Sequence, residues 1–417
     1  MRWEREYMEV FKKVSILVAI FALVACDNSP APTDNQFVKS NDPICDGQRV
    51  EGEYLVHWKS GKITVEKSMT EDSFVKNFLV AHTDEILKAE PHYRIQIEQN
   101  NVKKVGKYGG FLNWGQEYIK VDDVWDNNFS REEVIVAVID SGMDVEHPEL
   151  VDALAINDKE IPGNGIDDDN NGYVDDVNGY DFVADSGRVI DYTGHGTHVA
   201  GVIAAQHDRG QVLGVAPSAK LLPLAFISAT GGGLVSGAVG AIRYAASQGA
   251  KVINASWGGR SCSNLLREEI AAVAKNNVLF VAAAGNSGND LSITPEYPAA
   301  FQISNSMTVG AGTPSNNMAE FSNFGLLVDI VAPGVDVFST YPPEFDNDGT
   351  RDGVVILEGT SMATPYVAGA AALLWSIYPE AQYSDIKAAL LQGVTPGPLH
   401  VKTRGYLDIP RALDALN

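Results

Sequence analysis

Residues 134–142 read Val134-Ile135-Val136-Ala137-Val138-Ile139-Asp140-Ser141-Gly142, and this run decides the fold class. Its β-branched residues predict a strand that is buried on both faces, as strands of parallel sheets are. The carboxylate and glycine at its end predict a turn, and catalytic groups gather at the carboxyl ends of such strands. The run therefore predicts an α/β domain with a doubly wound, mostly parallel sheet and helices on both faces.

Two further segments place polar side chains where a strand gives way to a helix. Gly194-His195-Gly196-Thr197-His198 surrounds an imidazole with small residues, and Gly359-Thr360-Ser361-Met362-Ala363-Thr364-Pro365 puts a serine at the start of an apolar helix. A helix N-terminus favours negative charge near that serine. A lone serine before a helix is usually only a cap. Asp, His and Ser at three such junctions instead predict a nucleophile and the groups that activate it.

These segments resemble the subtilisin-like serine proteases, whose catalytic residues follow in the order Asp, His, Ser. The resemblance runs from about Trp114 to the C-terminus and includes GHGTHVAG at 194–201, VINASWGG at 252–259, AAAGNSG at 282–288 and GTSMATPYVAGAAALL at 359–374. It implies that Ser361 is the nucleophile, His195 the general base and then acid, and Asp140 the carboxylate that stabilises the imidazolium. His198, one helical step further on, is expected to be structural.

The same resemblance extends to substrate binding. Asn286 matches the family's oxyanion residue, with the backbone N–H of Ser361 as its partner. Gly231-Gly232-Gly233 and Ser256-Trp257-Gly258 match two segments that flank an extended peptide, and their glycines allow close backbone approach. Glu296 falls near the floor of the primary specificity pocket, where an acid would favour Lys or Arg before the scissile bond. A solvated loop carboxylate is the alternative for Glu296.

The charge of the chain excludes one class of partner and points to a cation. The net charge is −23 over 417 residues, which argues against nucleic-acid binding because phosphate contacts need clustered Lys and Arg. Acidic residues are concentrated in the run 167–176. Its spacing matches the first part of an EF-hand loop, with predicted ligands Asp167, Asp169, Asn171, the carbonyl of Tyr173, and Asp175. Position twelve is Asn178 rather than Glu, so a calcium-stabilised surface loop is predicted, with a merely solvated loop as the alternative.

A second calcium site is implied by the family resemblance alone. It would use Glu149 and Asp208 together with carbonyl groups of the loop 206–212.

The N-terminus predicts targeting to the cell envelope. Lys12-Lys13 precede an apolar run, 14–25, that is too short to span a bilayer and ends before Cys26. This resembles a bacterial lipoprotein signal peptide, residues 1–25, with lipidation of Cys26 and a polar tether over 26–50. In a Gram-negative organism, Asp27 would favour the inner membrane, facing the periplasm.

Residues 51–105 predict a small α+β domain before the peptidase domain, 111–417. Strands are predicted at Glu53–Trp58 and Tyr93–Ile97, with a helix over Thr70–Ala81. This resembles the family's inhibitory prosegment, with autocleavage between Glu98 and Gly110; a permanent substrate-recruiting domain is the alternative. Cys45 and Cys262 could pair in an oxidising compartment.

Taken together, the sequence predicts a monomeric, calcium-stabilised serine endopeptidase that acts on proteins or peptides. It would be made as a lipid-anchored zymogen, inhibited by its own prosegment and released on maturation. Two alternatives remain open: a catalytically silent peptide-binding lipoprotein, and a transpeptidase that transfers the acyl group to an amine.

Overall fold

The computed structural model describes residues 36–37, 47–97, 113–125 and 132–416. The predicted signal peptide, Cys26, Cys45, most of the tether and the linker 98–112 lie outside these residues. Among the described residues, no helix has both the length and the apolar composition needed to cross a bilayer.

The N-terminal unit is an antiparallel sheet covered by one helix. β1 (Arg49–Trp58) pairs with β2 (Ile63–Lys67) and with β3 (Ile86–Gln96). The predicted helix forms as α1 (Glu71–Ser73), which continues through a π-helical stretch, Phe74–Leu79. Thr70 caps it by accepting a hydrogen bond from Ser73 N over 3.1 Å. The helix buries Phe74 and Leu79 against the sheet.

Residues 113–125 and 132–416 form an α/β unit. Its elements, in chain order, are α2 (Trp114–Tyr118), α3 (Asp122–Trp125), β4 (Ile135–Asp140), β5 (Tyr180–Asp181), α4 (His195–Ala204), β6 (Lys220–Ala225), β7 (Gly232–Leu234), α5 (Val235–Ser247), β8 (Val252–Ala255), α6 (Asn264–Ala272), β9 (Leu279–Ala283), β10 (Ser306–Gly312), β11 (Ile330–Pro333), β12 (Val337–Thr340), β13 (Val354–Leu357), α7 (Thr360–Ile377), α8 (Tyr383–Gln392), β14 (Val394–Pro396), β15 (Gly405–Leu407) and α9 (Ile409–Asp414). Short 3₁₀ turns occur at Val151–Ala153, Val273–Asn276 and Ala299–Phe301.

The central sheet confirms the predicted fold class. Its nine strands within the described residues follow the order β14-β15-β11-β10-β9-β8-β4-β6-β5, and all neighbours except β14 and β15 are parallel. Alternate residues of β4 enter different cores: Val136 and Val138 face the core that includes α4 and α7, whereas Ala137 and Ile139 face the core that includes α5 and α6.

The parallel arrangement positions the predicted site. β4, β8 and β9 are neighbours and end just before Ser141, Ser256 and Ala284, so their carboxyl ends meet at one edge of the sheet. Helix α7 begins at the same edge and is buried at every residue from Thr360 to Ser376. Its small residues make this burial possible, since a side chain added at Gly369 would approach Val215 Cβ to 2.8 Å.

Candidate active site

The end of β4 and the start of α4 bring a carboxylate and an imidazole together. Asp140 is fully buried and His195 is 5% exposed. His195 Nδ1 donates to Asp140 Oδ1 over 2.7 Å, and the same oxygen accepts from Ser141 N over 2.7 Å. This contact fixes the tautomer and leaves Nε2 as the nitrogen that can accept a proton. Nε2 is buried and has no hydrogen-bond partner among the described residues.

The surroundings of His195 favour its protonated form. Burial alone would lower the pKa of His195, but the charge and hydrogen bond of Asp140 and the charge of Asp191 raise that pKa above the ordinary value of 6.5. An imidazolium formed during proton transfer is therefore stabilised in place.

Ser361 is the second residue of α7 and is 5% exposed. Its Oγ donates to Ser256 O over 3.0 Å, and Ser256 Oγ donates to Ser361 O over 2.8 Å. The hydroxyl thus contacts the backbone after β8, and it must turn toward His195 Nε2 before it can transfer a proton. Catalytic hydrogen bonds are often loose before substrate binds.

Asn286 is oriented by the first residue of α7. Its Oδ1 accepts from Thr360 N over 2.8 Å and from Thr360 Oγ1 over 2.9 Å. These contacts leave Nδ2 available to donate elsewhere. The N–H of Ser361 lies in the first turn of α7 and has no intrahelical acceptor. Asn286 and Ser361 line the same cleft, which has a volume of about 720 Å³.

The end of β3 lies in that cleft as an extended strand. Ile95 and Gln96 pair antiparallel with Gly233 and Gly232 of β7. On the other side, Gln96 and Gly258 exchange two backbone hydrogen bonds of 3.4 Å. Segment 94–97 is therefore held between the two glycine-bearing segments that the sequence predicted to flank a peptide. A Cβ atom at Gly233 would lie 2.7 Å from Phe226 O, so this position requires glycine.

Two more of the predicted binding residues surround the cleft. Trp257 is 2% exposed, and its Nε1 donates to Ile139 O over 2.8 Å, which ties the segment after β8 to β4. Glu296 also lines the cleft. Its Oε1 accepts from Ser287 Oγ and from Asn323 Nδ2, both over 2.9 Å, so the carboxylate is held next to the Asn286 segment.

Comparison with known proteins agrees with this geometry. Residues 131–406 match the model of the Subtilase family. The chain belongs to the subtilase family. It is 36% identical to subtilisin DY of Bacillus licheniformis over 283 residues, which are 68% of this chain and 91% of that protein. It is 40% identical to subtilisin Savinase of Lederbergia lenta over 261 residues, 63% of this chain and 83% of that protein. This subtilase is accordingly a serine-type endopeptidase.

A solved structure shows the same fold. Fervidolysin from Fervidobacterium pennivorans, a keratinolytic enzyme related to subtilisin, superposes with a TM-score of 0.69 at 24% identity. The match covers 91% of this chain and 62% of the fervidolysin chain.

His198 of this subtilase lies deep in the core. It is fully buried, and its Nε2 contacts Val337 O over 3.1 Å. Burial lowers the pKa of His198 to about 3, so the ring is neutral. Its contact with β12 fits the structural role expected for it.

The acidic loop is arranged differently from the predicted ligand set. Asp167 accepts from Asn171 N and Gly172 N, and Asp175 accepts from Asn164 N and Gly165 N, all over 2.8 to 3.0 Å. Glu160 is held in the same way, since its Oε1 accepts from Asp168 N over 2.8 Å and its Oε2 from Asp175 N over 3.1 Å. The carboxylates that approach within 4.8 Å of one another are Glu160, Asp169 and Asp176, so Asp169 alone of the predicted ligands belongs to the cluster. Sequence spacing missed Glu160 because it precedes the run by seven residues.

The two side chains of the second predicted calcium site lie in different surroundings. Glu149 is buried, and its Oε2 accepts from Val212 N over 2.9 Å while Oε1 accepts from Gln211 N over 3.3 Å. Asp208 is exposed on the surface. The longer Glu side chain reaches the loop backbone directly.

The contact between the N-terminal unit and the α/β unit uses two polar residues of β3, Glu90 and His92, to which sequence reasoning assigned no partner. Glu90 accepts from Ser263 Oγ and, over 2.9 Å, from Asn264 N, so it caps α6. His92 is fully buried and accepts from Ser236 N, in the first turn of α5, over 3.3 Å. Cys262, which precedes α6, is disulfide-bonded.

Proposed function

We propose that this subtilase hydrolyses peptide bonds through an acyl-enzyme on Ser361. His195 Nε2 takes the proton of Ser361 Oγ as the hydroxyl attacks the substrate carbonyl, and Asp140 stabilises the imidazolium. His195 then gives the proton to the leaving amine, and water releases the acyl group by the reverse route. The observation that carries the proposal is the 2.7 Å contact between Asp140 and His195 beside a cleft lined by Ser361 and Asn286.

The negative charge of the tetrahedral intermediate needs donors that are already in place. Asn286 Nδ2 and Ser361 N are proposed as these donors. Thr360 donates two hydrogen bonds to Asn286 Oδ1, which fixes the side-chain amide and leaves Nδ2 free to donate. Preorganised donors act without reorganisation during the reaction. The start of α7 therefore supplies both the nucleophile and the orientation of the second donor.

Substrate is proposed to bind as an added strand between β7 and Ser256–Gly258, in the position that segment 94–97 occupies. Main-chain hydrogen bonds supply affinity in this mode, and pockets supply selectivity. Glu296 is proposed to select Lys or Arg before the scissile bond. Its support is its position in the cleft wall next to the Asn286 segment.

The N-terminal unit is proposed to be an inhibitory prosegment. Its last described strand fills the substrate position, and Glu90 and His92 bind two helix starts of the α/β unit.

Cys262 is disulfide-bonded, and the other cysteines of the chain, Cys26 and Cys45, both precede the prosegment. A lipidated Cys26 has no thiol left to pair, so if Cys45 is the partner, a cut in the linker leaves the prosegment attached until the disulfide is reduced. We therefore propose that the zymogen is anchored in the envelope by the lipid on Cys26. Its α/β unit is released only when the linker is cleaved and the disulfide is reduced.

Calcium is proposed to bind at Glu160, Asp169 and Asp176. Hard cations prefer carboxylate oxygens, and no Lys or Arg among the described residues forms an ion pair with this cluster. The ion would offset the repulsion between neighbouring carboxylates and so stabilise the loop between β4 and α4.

The test of the main proposal uses an unstructured protein substrate in H₂¹⁸O, with products identified by mass spectrometry. The wild type should give fragments whose new carboxyl groups carry ¹⁸O, and Ser361→Ala should give none. Ser376→Ala, a buried serine near the other end of α7, is the matched control and should cleave normally. Cleavage by Ser361→Ala would contradict the proposal, and joined peptides without ¹⁸O would indicate acyl transfer to an amine.

A further inference from the structure

A buried carboxylate outside the Asp140–His195 pair contacts both of the segments that carry this pair. Asp191 is 3% exposed and lies in the segment that leads into α4. Its oxygens are in hydrogen-bond contact with Ser141 Oγ, with N and Oγ1 of Thr193, with Gly194 N, and with N and Oγ1 of Thr197, over 2.7 to 3.2 Å. All of these partners can donate and none is charged, so they fit an ionised carboxylate and leave its net charge in place.

These contacts join the two segments that carry Asp140 and His195. Ser141 follows Asp140 in the chain, and its Oγ donates to Asp191 while accepting from Gly196 N over 3.0 Å. Gly196 follows His195. Asp191 also binds the N–H of Thr197, in the first turn of α4, and so caps the helix that His195 begins. Asp191 therefore holds together the two segments that form the 2.7 Å contact between Asp140 and His195.

We propose that Asp191 is a positioning residue for catalysis: it fixes the start of α4 against the turn after β4 and adds a second negative charge that stabilises the His195 imidazolium. The groups that face His195 are Asp140 from β4, Asp191 from the preceding segment and the neutral His198 from α4. The raised pKa of His195 agrees with this: burial lowers the pKa, and Asp140 and, to a smaller extent, the charge of Asp191 raise it. This inference deepens the proposed function and rests on His195 as the base.

The experiment compares pH profiles of kcat and KM for the mature enzyme on a peptide substrate. Asp191→Asn keeps the shape of the side chain and removes its charge. We expect kcat to fall about tenfold with KM within about twofold, and the acid limb of kcat/KM to move about half a pH unit or more to lower pH. The direction follows because a lost negative charge lowers the pKa of His195, so the neutral base persists in more acidic solution.

Two further variants separate charge from position. Ser141→Ala removes a link between the two segments but keeps the charge, so kcat should fall while the acid limb stays in place. Asp329→Asn, which removes another buried carboxylate that accepts from Thr308 N, controls for general loss of stability and should not move the limb. An acid limb of Asp191→Asn that coincides with the wild type overturns the proposal. If Asp191→Asn does not fold, Ser141→Ala decides, and a wild-type kcat in that variant overturns the positioning role.

Discussion

His92 makes the contact between the N-terminal unit, the proposed prosegment, and the α/β unit dependent on pH. Its Nδ1 lies 3.0 Å from Glu53 Oε2, and its Nε2 accepts from Ser236 N. Nε2 can accept only while the ring is neutral. Burial lowers the pKa of His92, and the charge of Arg94 lowers it further, against the opposing effect of Glu53. The stabilisation that His92 gives is therefore complete above its free pKa of 6.5 and is lost as the pH falls below that value.

The pKa of His92 in the free N-terminal unit sets the largest loss of affinity that its protonation can cause. If bound His92 stays neutral at pH 5.5, its ring, which is mostly protonated in the free N-terminal unit at that pH, must lose a proton on binding. This costs about 1.4 kcal/mol, or a factor of about eleven in affinity. At pH 7.5 the same cost is close to zero. We therefore expect His92 to weaken binding of the prosegment by up to about tenfold between pH 7.5 and 5.5.

Glu90 acts in the opposite direction and must be separated from His92. Burial raises the pKa of Glu90 to about 7, so protonation at lower pH favours the bound state. The variant His92→Gln keeps the Glu90 contribution and removes that of His92. The ratio of inhibition constants at the two pH values, compared between wild type and His92→Gln, isolates the histidine.

The assay measures inhibition of the mature peptidase by a peptide spanning residues 47–98. The ratio of the inhibition constant at pH 5.5 to that at pH 7.5 should be at least about threefold larger for wild type than for His92→Gln. In Glu90→Gln, where the opposing carboxyl is absent, the inhibition constant should rise outright on acidification. Equal ratios for wild type and His92→Gln would refute the reasoning.

Three further predictions concern the catalytic and metal sites. Asn286→Ala should lower kcat by about 10²–10³ with little change in KM, the range known for an oxyanion donor in subtilisin; a loss below fivefold would remove Asn286 from the oxyanion site. Chelation of calcium should lower the free energy of unfolding by about 4 kcal/mol if the site had been saturated a thousandfold above its Kd. Calorimetry should show a reduced calcium effect in Asp169→Asn and a full effect in the exposed control Asp158→Asn, and identical melting with and without chelator in the wild type would contradict the site. Glu296→Gln should erase a preference for Arg or Lys over Leu or Phe before the scissile bond, measured as ratios of kcat/KM, and unchanged ratios would assign Glu296 a purely structural role.

The fold was predictable because its signals are local. The β-branched run that ends at Asp140 predicted a buried strand, and the Ala- and Gly-rich apolar run after Ser361 predicted a buried helix. The meeting of Asp140 and His195 followed from the same logic, because strands that run parallel bring their carboxyl ends to one edge.

What the sequence did not predict depends on contacts between distant residues. Asp167 and Asp175 have the spacing of calcium ligands, but Glu160, which lies outside that spacing, joins Asp169 and Asp176 in the carboxylate cluster. Glu90 and His92 bind helix starts that lie more than 140 residues away in the chain. Asp191 precedes His195 by four residues, and its link to Ser141 appears only once β4 and α4 are placed together.

The most direct test of the account is the identity of the acylated residue. The mature enzyme is mixed with an activated ester substrate, quenched in acid within milliseconds, digested and analysed by mass spectrometry. The account predicts an acyl group on the peptide that contains Ser361, formed faster than turnover and absent in His195→Ala. Steady hydrolysis without any acylated Ser361, or an acyl group on another residue, would contradict it.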